Sequence, residues 1–520
     1  MTSYHHYSEL FTPSSAVTTP SSAEDLVIVV SPGMETQLLL DSIHDVRIEE
    51  IGTSKFFETF CINLERLSIQ AHLTAGVISS SQADQISTNS SELTASFGSA
   101  GSQEEYIVEA FLENPTKLED LVKTLLALEY WRDNILFRNG KGSNNDDEEV
   151  EFEFEGGERD ILDEYANLND VDGGDVPESR ALASLLAENG NAVRAAFILH
   201  VETTIVSILN LVFYKGIPAI FLEGDGEQYL LSLVDYCARQ LVFLGTPEGS
   251  NPALRRQKYP LAASDLKTYL ETRSRLDEIQ DSVHDESYKV ALAAVSLARY
   301  LCENIEEVPA SIVSRMLDVH DFPLLMVALI EEPPWTRCRK IEQKDGDRTT
   351  IKIVWEKLND QNEWSEVKPE DLLVLTKLEG QPWLALFHLT ASRVCRETYR
   401  MDEFRKGVLC RVRRYIHEAI TDQLPVLQEV ARYLDELSIL GVPGGGGGAS
   451  SGLLLQRVDL LRESVIGHKS KSVSHEEYLE SIVTNQWDKI YSRVTDAKDE
   501  DLKRLAFEVY GGFDDEPQAA

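Results

Sequence analysis

His200 to Gly216 reads HVETTIVSILNLVFYKG, and within it Val201, Ile205, Ile208 and Val212 recur at steps of three and four residues. That period puts all four on one face of an α-helix. The same spacing returns in Leu118, Leu121, Leu125 and Leu128, in Leu230, Val234, Cys237 and Leu241, and in Val290, Ala294, Leu297 and Leu301. An apolar stripe of this kind must be buried against another. Successive helices of about 12 to 20 residues with short breaks meet that need as antiparallel pairs stacked side by side. Breaks are expected at His320 to Pro323 and at Gly380 to Pro382, because proline removes a helical donor and glycine disfavours the helix. No exact repeat period is visible, so the expected fold is all-α, an irregular armadillo-like or HEAT-like helical solenoid. One segment departs from helical spacing. Thr349 to Trp355 (TTIKIVW) alternates, and Asn359 to Asn362 (NDQN) supplies a turn before Glu363 to Val367. This predicts one small inserted β-hairpin near residues 349–367, whose edge is either a minor structural feature or a docking strand.

Composition narrows the function. The 520 residues are 42% hydrophobic, enough for a large core, and carry a formal charge of -39, with 88 acids against 49 bases. A polyphosphate partner needs Lys and Arg to displace its counterions, so nucleic acid is excluded as an expected ligand, and anionic membrane surfaces are disfavoured for the same reason. Met1 to Glu24 has no basic region followed by an apolar one, so no signal peptide is expected. Apolar runs such as Leu26 to Val30 and Pro323 to Ile330 fall well short of the roughly 20 residues of a bilayer span, and no membrane insertion is expected. Cys61, Cys237, Cys302, Cys338, Cys395 and Cys410 stand singly among apolar or helical residues. They read as reduced structural thiols of a cytoplasmic protein.

Three stretches read as insertions or linkers. Residues 79–103 are rich in Ser, Thr and Gly, residues 139–177 are dominated by Asp146 to Glu158, and residues 441–452 contain the glycine run. The expected organisation is a partly disordered N-terminal segment (1–50), a helical part (51–138) holding the Ser-rich insertion, the acidic disordered insertion (139–177), and a main helical-repeat domain (178–440). The Gly-rich linker (441–452), C-terminal helices (453–510) and a tail (511–520) follow.

Catalytic signatures are weak. Gly224, Gly226 and Tyr229 in GDGEQY give half of a dinucleotide fingerprint, without the third glycine or a preceding strand. Gly448 to Gly452 (GASSG) matches a hydrolase elbow only in composition, since a glycine run precedes it instead of a strand. His200 with Glu202, His284 with Asp285 and Glu286, and His475 with Glu476 are metal-capable, yet none presents three or four convergent ligands or an HExxH spacing. No catalytic residue, metal site or cofactor is expected, and the protein reads as a non-enzyme. An enzyme assembled from distant residues would need a deep pocket with perturbed titratable groups. Trp131, Trp335 and Trp383 read as packing residues. Arg405, Lys406, Arg411, Arg413 and Arg414 in FRKGVLCRVRR form a basic cluster on one expected helix of a very acidic chain. They either pair with carboxylates of adjacent helices or offer a docking site for an acidic partner.

Several blocks taken in order resemble a known family. They are FCINLERLSIQAHL (Phe60 to Leu73), LVKTLLALEYW (Leu121 to Trp131), HVETTIVSILNLVFYKG (His200 to Gly216), LVDYCARQL (Leu233 to Leu241), SRMLDVHDFPLLMVALIEEPPWTR (Ser314 to Arg337), KLEGQPWLALFHL (Lys377 to Leu389) and FRKGVLCRVRRYIHEAITDQLP (Phe404 to Pro425). They are similar to the zinc finger MYND domain-containing protein 10 family of axonemal dynein assembly factors. The resemblance implies cytoplasmic work before cilium assembly, including near the centrosome or basal body, in building outer and inner dynein arms for motile cilia. It implies dynein heavy and intermediate chains as clients, and a heat-shock chaperone, an immunophilin and other dynein assembly factors as partners. The family's C-terminal MYND finger, a Cys- and His-rich module binding two zinc ions and a leucine-rich-repeat partner, has no counterpart here, since no cysteine follows Cys410. A generic helical-repeat adaptor in another pathway is the competing expectation.

Overall fold

The structure is a computed structural model, and it describes residues 32–53, 55–74, 106–136, 182–183, 192–222, 224–246, 274–345, 348–359, 363–439, 460–466 and 478–484. The insertions expected at 79–103 and 139–177, the linker at 441–452 and the tail at 511–520 lie outside the described residues. The first helices along the chain are α1 (Pro32–Ser42), α2 (Ile62–Thr74), α3 (Tyr106–Glu113), α4 (Pro115–Trp131), α5 (Ala192–Tyr214) and α6 (Glu227–Gly245). After them come α7 (Arg275–Glu303), α8 (Ala310–Ser314) and α9 (Phe322–Glu331). Strands β1 (Thr336–Asp345), β2 (Arg348–Leu358) and β3 (Trp364–Val367) follow. The remaining helices are α10 (Lys377–Ala391), α11 (Arg393–Thr398), α12 (Glu403–Val412), α13 (Glu418–Thr421), α14 (Leu427–Ile439) and α15 (Leu460–Ile466).

All four apolar stripes are buried, and they determine which helices meet. The long α7 packs against α5, α6 and α10. Helix α5 also takes α2 and α4, while α10 takes α9 and α14, so helices stack outward on both flanks of α7. Helix α15 returns to α4 and α6, and the Tyr478 hydroxyl donates to Glu49 at 3.0 Å, tying late residues to early ones. Trp131, Trp335 and Trp383 are all buried, as packing residues. Each large side chain buried in this way contributes about 2 kcal/mol from removal of apolar surface from water.

Helix α5 is more apolar than the short runs quoted above suggest. Ala195–Tyr214 is long and apolar enough to cross a membrane by length and composition, and 67% of it is buried inside the protein. A helix apolar all round is one surrounded by others, and α2, α4 and α7 supply that cover.

The break expected at His320 to Pro323 is present. Asp321 adopts a left-handed conformation (φ 51°) and Pro323 sits in the first turn of α9. The break expected at Gly380 to Pro382 is absent, because α10 runs through Pro382. Its start is fixed upstream by a capping box, in which the Thr376 side chain accepts from Glu379 N–H and the Glu379 carboxylate accepts from Thr376 N–H. Burial of Pro382, Trp383, Leu386 and Leu389 offsets the proline's cost of about 3 kcal/mol.

The expected hairpin is present as β2 and β3, and a third strand precedes it. The sheet order is β1-β2-β3, antiparallel throughout, with Cys338 opposite Trp355 and Glu356 opposite Glu366. Strand β1 (TRCRKIEQKD) has few apolar residues, which is why alternation did not reveal it. Its pairing with β2 supplies the order instead. Arg337 donates from Nε to Glu356 at 2.6 Å and stacks over the Trp364 ring at 4.0 Å. The buried Lys357 ammonium fastens the sheet to the helices by donating to the carbonyls of Leu372 (2.6 Å) and Val374 (3.0 Å) and to Glu379 (3.0 Å).

Candidate functional site

The basic cluster predicted from sequence spans α12 and the turn after it. Asp402 caps α12 by accepting from Arg405 N–H at 2.7 Å, and Val408, Leu409 and Val412 bury its inner face. That face packs on α9 and α14, which leaves the arginines at the rim. Arg405 points back at the left-handed turn. Its Nε donates to Asp321 Oδ2 at 2.7 Å, and the Tyr399 hydroxyl donates to Asp321 Oδ1 at 2.5 Å. Two donors on one carboxylate hold Asp321 in a conformation that L-residues other than Asn and Asp rarely adopt. Lys406 is half-buried on the same helix.

Arg411 grips Glu331 at the end of α9 with two hydrogen bonds, Nε to Oε1 at 3.1 Å and Nη2 to Oε2 at 2.8 Å. Arg414 reaches the same carboxylate at 3.5 Å and the Tyr415 hydroxyl at 2.6 Å. Arg413 donates to Asp435 on α14 at 2.9 Å and to the Ile416 carbonyl at 3.1 Å. The four arginines are thus paired with carboxylates of neighbouring helices, while the side chains of Arg411 and Arg414 remain 52% and 62% exposed. A guanidinium has five N–H donors, so pairing with Glu331 leaves capacity for a second carboxylate. Beside them a shallow groove of about 490 Å³ runs past Arg413, His417, Arg432 and the exposed Ile439.

The GDGEQY glycines have a structural cause. Gly224 sits at φ +60°, and a Cβ on Gly226 would lie 1.7 Å from the Ile220 carbonyl oxygen. The two residues let a tight turn fold onto Ile220 before α6 begins. Four of the six cysteines are buried, Cys410 is half-buried, and Cys338 on β1 is exposed. Cys338 therefore departs from the expected core setting, because it lies on the strand that sequence alternation did not reveal. Among the described residues no group of three or more His, Cys, Asp or Glu could hold a metal ion. His475 with Glu476, and GASSG, lie outside the described residues.

A buried polar seam went unnoticed in the sequence. Glu202 on α5 accepts from Arg132 Nη1 at 2.6 Å and from the Tyr236 hydroxyl at 2.9 Å. Glu129 on α4 accepts from both Arg239 Nε (2.8 Å) and Nη2 (2.6 Å) on α6. Asp235, also on α6, accepts from Arg315 Nε at 2.6 Å and lies 2.6 Å from His320 Nε2. Arg132 and Arg315 each open a short π-helical turn, Arg132–Leu136 and Arg315–Val319. Burial pushes the Glu202 carboxyl up, and the Arg132 guanidinium and Tyr236 hydroxyl pull it back part of the way. Burial also opposes ionisation of Asp235, but the hydrogen bonds from His320 and Arg315 hold it below its ordinary value.

Two of the histidine motifs singled out by sequence meet in the structure. His200 Nε2 lies 3.5 Å from Glu65 on α2, and its Nδ1 lies 3.9 Å from Glu286 on α7. Burial works against the imidazolium, yet the neighbouring Glu286 and Glu65 carboxylates raise His200 to about 9. The arrangement is a charged strut between three helices.

The fold and these surfaces define an α-helical protein with a small three-stranded sheet, whose buried charges cross-link helices. The chain is similar to the zinc finger MYND domain-containing protein 10 homolog of Drosophila melanogaster, 25% identical over 300 residues, which is 56% of this chain and 57% of that protein. The chain therefore matches little more than half the length of that curated relative. The resemblance carried by the ordered blocks is thus also a similarity to a curated protein bearing that family's name. No protein-family model matches the chain, and no solved structure matches it.

Proposed function

We propose that this chain is a non-enzymatic cytoplasmic assembly factor, a co-chaperone-like scaffold for preassembly of outer and inner axonemal dynein arms. The observation that supports the reading is the 300-residue similarity to the Drosophila homolog. Helices stacked about α7 give an extended surface on which a large client can be held without chemistry. Dynein heavy and intermediate chains are such clients, because large multidomain chains expose aggregation-prone surface while folding. A heat-shock chaperone, an immunophilin and other assembly factors are the proposed partners, in the cytoplasm and near the centrosome or basal body. The exposed guanidiniums of Arg411 and Arg414 are the proposed contact for an acidic segment of one of them. The finger-dependent leucine-rich-repeat partner stands outside the proposal, since the 520 residues contain no paired Cys spacing of that kind.

The test is a null strain of a ciliated source. The expected result is ciliary microtubules in place, outer and inner arms missing, and dynein heavy chains already depleted in cytoplasmic extract. Normal cytoplasmic heavy chains, or normal arm density, would reject the assembly role in favour of a generic helical adaptor.

A further inference from the structure

Helix α12 turns Val408, Leu409 and Val412 inward, while Phe404, Gly407 and Arg411 are exposed, as is Arg414 in the turn that follows. Spacings of three and four residues line these positions along one outer face. Two features of that face have no explanation in the packing of α12 itself.

The first is Gly407. Glycine in a helix interior weakens the helix relative to alanine, because it gives up more backbone freedom on folding. Its usual reasons are a left-handed backbone or the close approach of other atoms. Gly407 has no positive φ, and among the described residues a Cβ built on it meets nothing within 4 Å. The outer face of α12 therefore has an open notch that its own fold does not require.

The second is Phe404, which stands at one rim of the notch and is 70% exposed. About one helical turn separates Phe404 from Gly407 and Gly407 from Arg411, so ring, notch and guanidinium follow one another over roughly 10 Å. A single exposed ring is ordinary when it stands alone. Beside an unfilled notch it forms one wall of a seat, and the aliphatic stem of Arg411 forms the other.

Charge indicates what fills the seat. Residues 403–415 carry Arg405, Lys406, Arg411, Arg413 and Arg414 against Glu403 alone, in a chain of net charge -39. Arg411 gives Glu331 hydrogen bonds from Nε and Nη2, which leaves N–H donors for a second carboxylate, and its side chain and that of Arg414 are 52% and 62% exposed. An anionic lipid surface could meet the same guanidiniums, but the field of so acidic a chain opposes its approach.

We propose that the outer face of α12 seats an acidic segment of another protein, which brings one large apolar side chain into the notch over Gly407, beside Phe404, and sets carboxylates one and two turns away against Arg411 and Arg414. The seat rests on the acidic contact proposed above and adds the apolar residue that the partner must carry.

Fluorescence anisotropy of a labelled helical peptide titrated with the full chain tests it. The peptide has about 16 residues, long enough to hold a helix, on an Ala and Gln background with one Leu and with Glu one and two turns after it. Gly407→Ala adds one methyl group and favours the helix, so it raises the melting temperature by about 1 to 2 °C, yet it fills the notch and weakens the peptide about tenfold. Phe404→Ser weakens the peptide to a similar extent and leaves the melting temperature unchanged. With Ser in place of the peptide's Leu, wild type and Gly407→Ala bind alike. Equal affinity of wild type and Gly407→Ala for the Leu peptide overturns the seat. If charge reversal at Arg411 and Arg414 still weakens that peptide, the acidic contact survives the loss of the seat. A peptide that binds wild type no better than the charge-reversed chain overturns both. Displacement of the peptide by phosphatidylserine vesicles overturns the proposal in favour of a lipid surface.

Discussion

Replacing His200 with glutamine removes the charge of the three-helix strut while keeping an amide that can still reach both carboxylates. In the folded protein His200 is raised from the ordinary 6.5 to about 9 by Glu286 and Glu65, against the opposing effect of burial. Two and a half decades of proton affinity correspond to about 3 kcal/mol. Because the folded-state value is raised, this contribution is complete below about pH 6.5, where both states are protonated, and is lost as pH rises through 9. Glu286 is shifted in the opposite sense. Burial opposes its ionisation, but His200 and Lys289 hold it below its ordinary 4.5, so its share is present above that value and is lost in acid. Urea unfolding followed by tryptophan fluorescence suits the question, since Trp131, Trp335 and Trp383 are all buried. At about pH 6 wild type should exceed His200→Gln by about 3 kcal/mol, and the gap should close by that amount by about pH 10. A gap that stays flat over this range, or widens with pH, would refute the strut.

Gly226→Ala should destabilise by about 3 kcal/mol as its Cβ displaces the Ile220 backbone, whereas Gly224→Ala should cost about 1 kcal/mol for the left-handed backbone; thermal melts of both would order them. Charge reversal at Arg411, Arg413 and Arg414 should weaken association with an acidic peptide and reduce its salt dependence, with little change in melting temperature because these pairs are exposed. A lower melting temperature with binding unchanged would make the cluster purely structural. Arg405→Ala should instead lower the melting temperature, since it releases Asp321 from its left-handed turn. Elemental analysis of the purified chain should find less than one zinc per molecule, because the sequence contains no CxxC pair.

Helical periodicity made the core legible, and the reason is visible in α4, α6 and α7, where an apolar stripe on one face meets its partner. It failed for β1, whose order comes from pairing with β2 and leaves no alternation of its own. It misplaced a boundary at Pro382, because the capping box formed by Thr376 and Glu379 outweighs a proline in the second turn. The basic cluster was legible as composition, but its pairing with Asp321, Glu331 and Asp435 was not, because those carboxylates come from helices distant in sequence. Glu129 in LLALEYW, Glu202 in HVETTIV and Asp235 in LVDYC did leave a trace. Each is an acid set among apolar neighbours where a solvent-facing residue would break the stripe.

The seam made by those three acids bears on how the scaffold responds to force. Stacked helices held only by greasy contacts can slide by a fraction of a turn at little cost, and long arrays of them bend like springs. Here a slip of α6 by one turn would strand Asp235 and leave Arg239 facing the wrong residue, and an unpaired buried charge costs several kcal/mol. The centre of this molecule should therefore behave as a stiff plate, with compliance left to its flanks, and a load applied to it would meet a surface that does not yield.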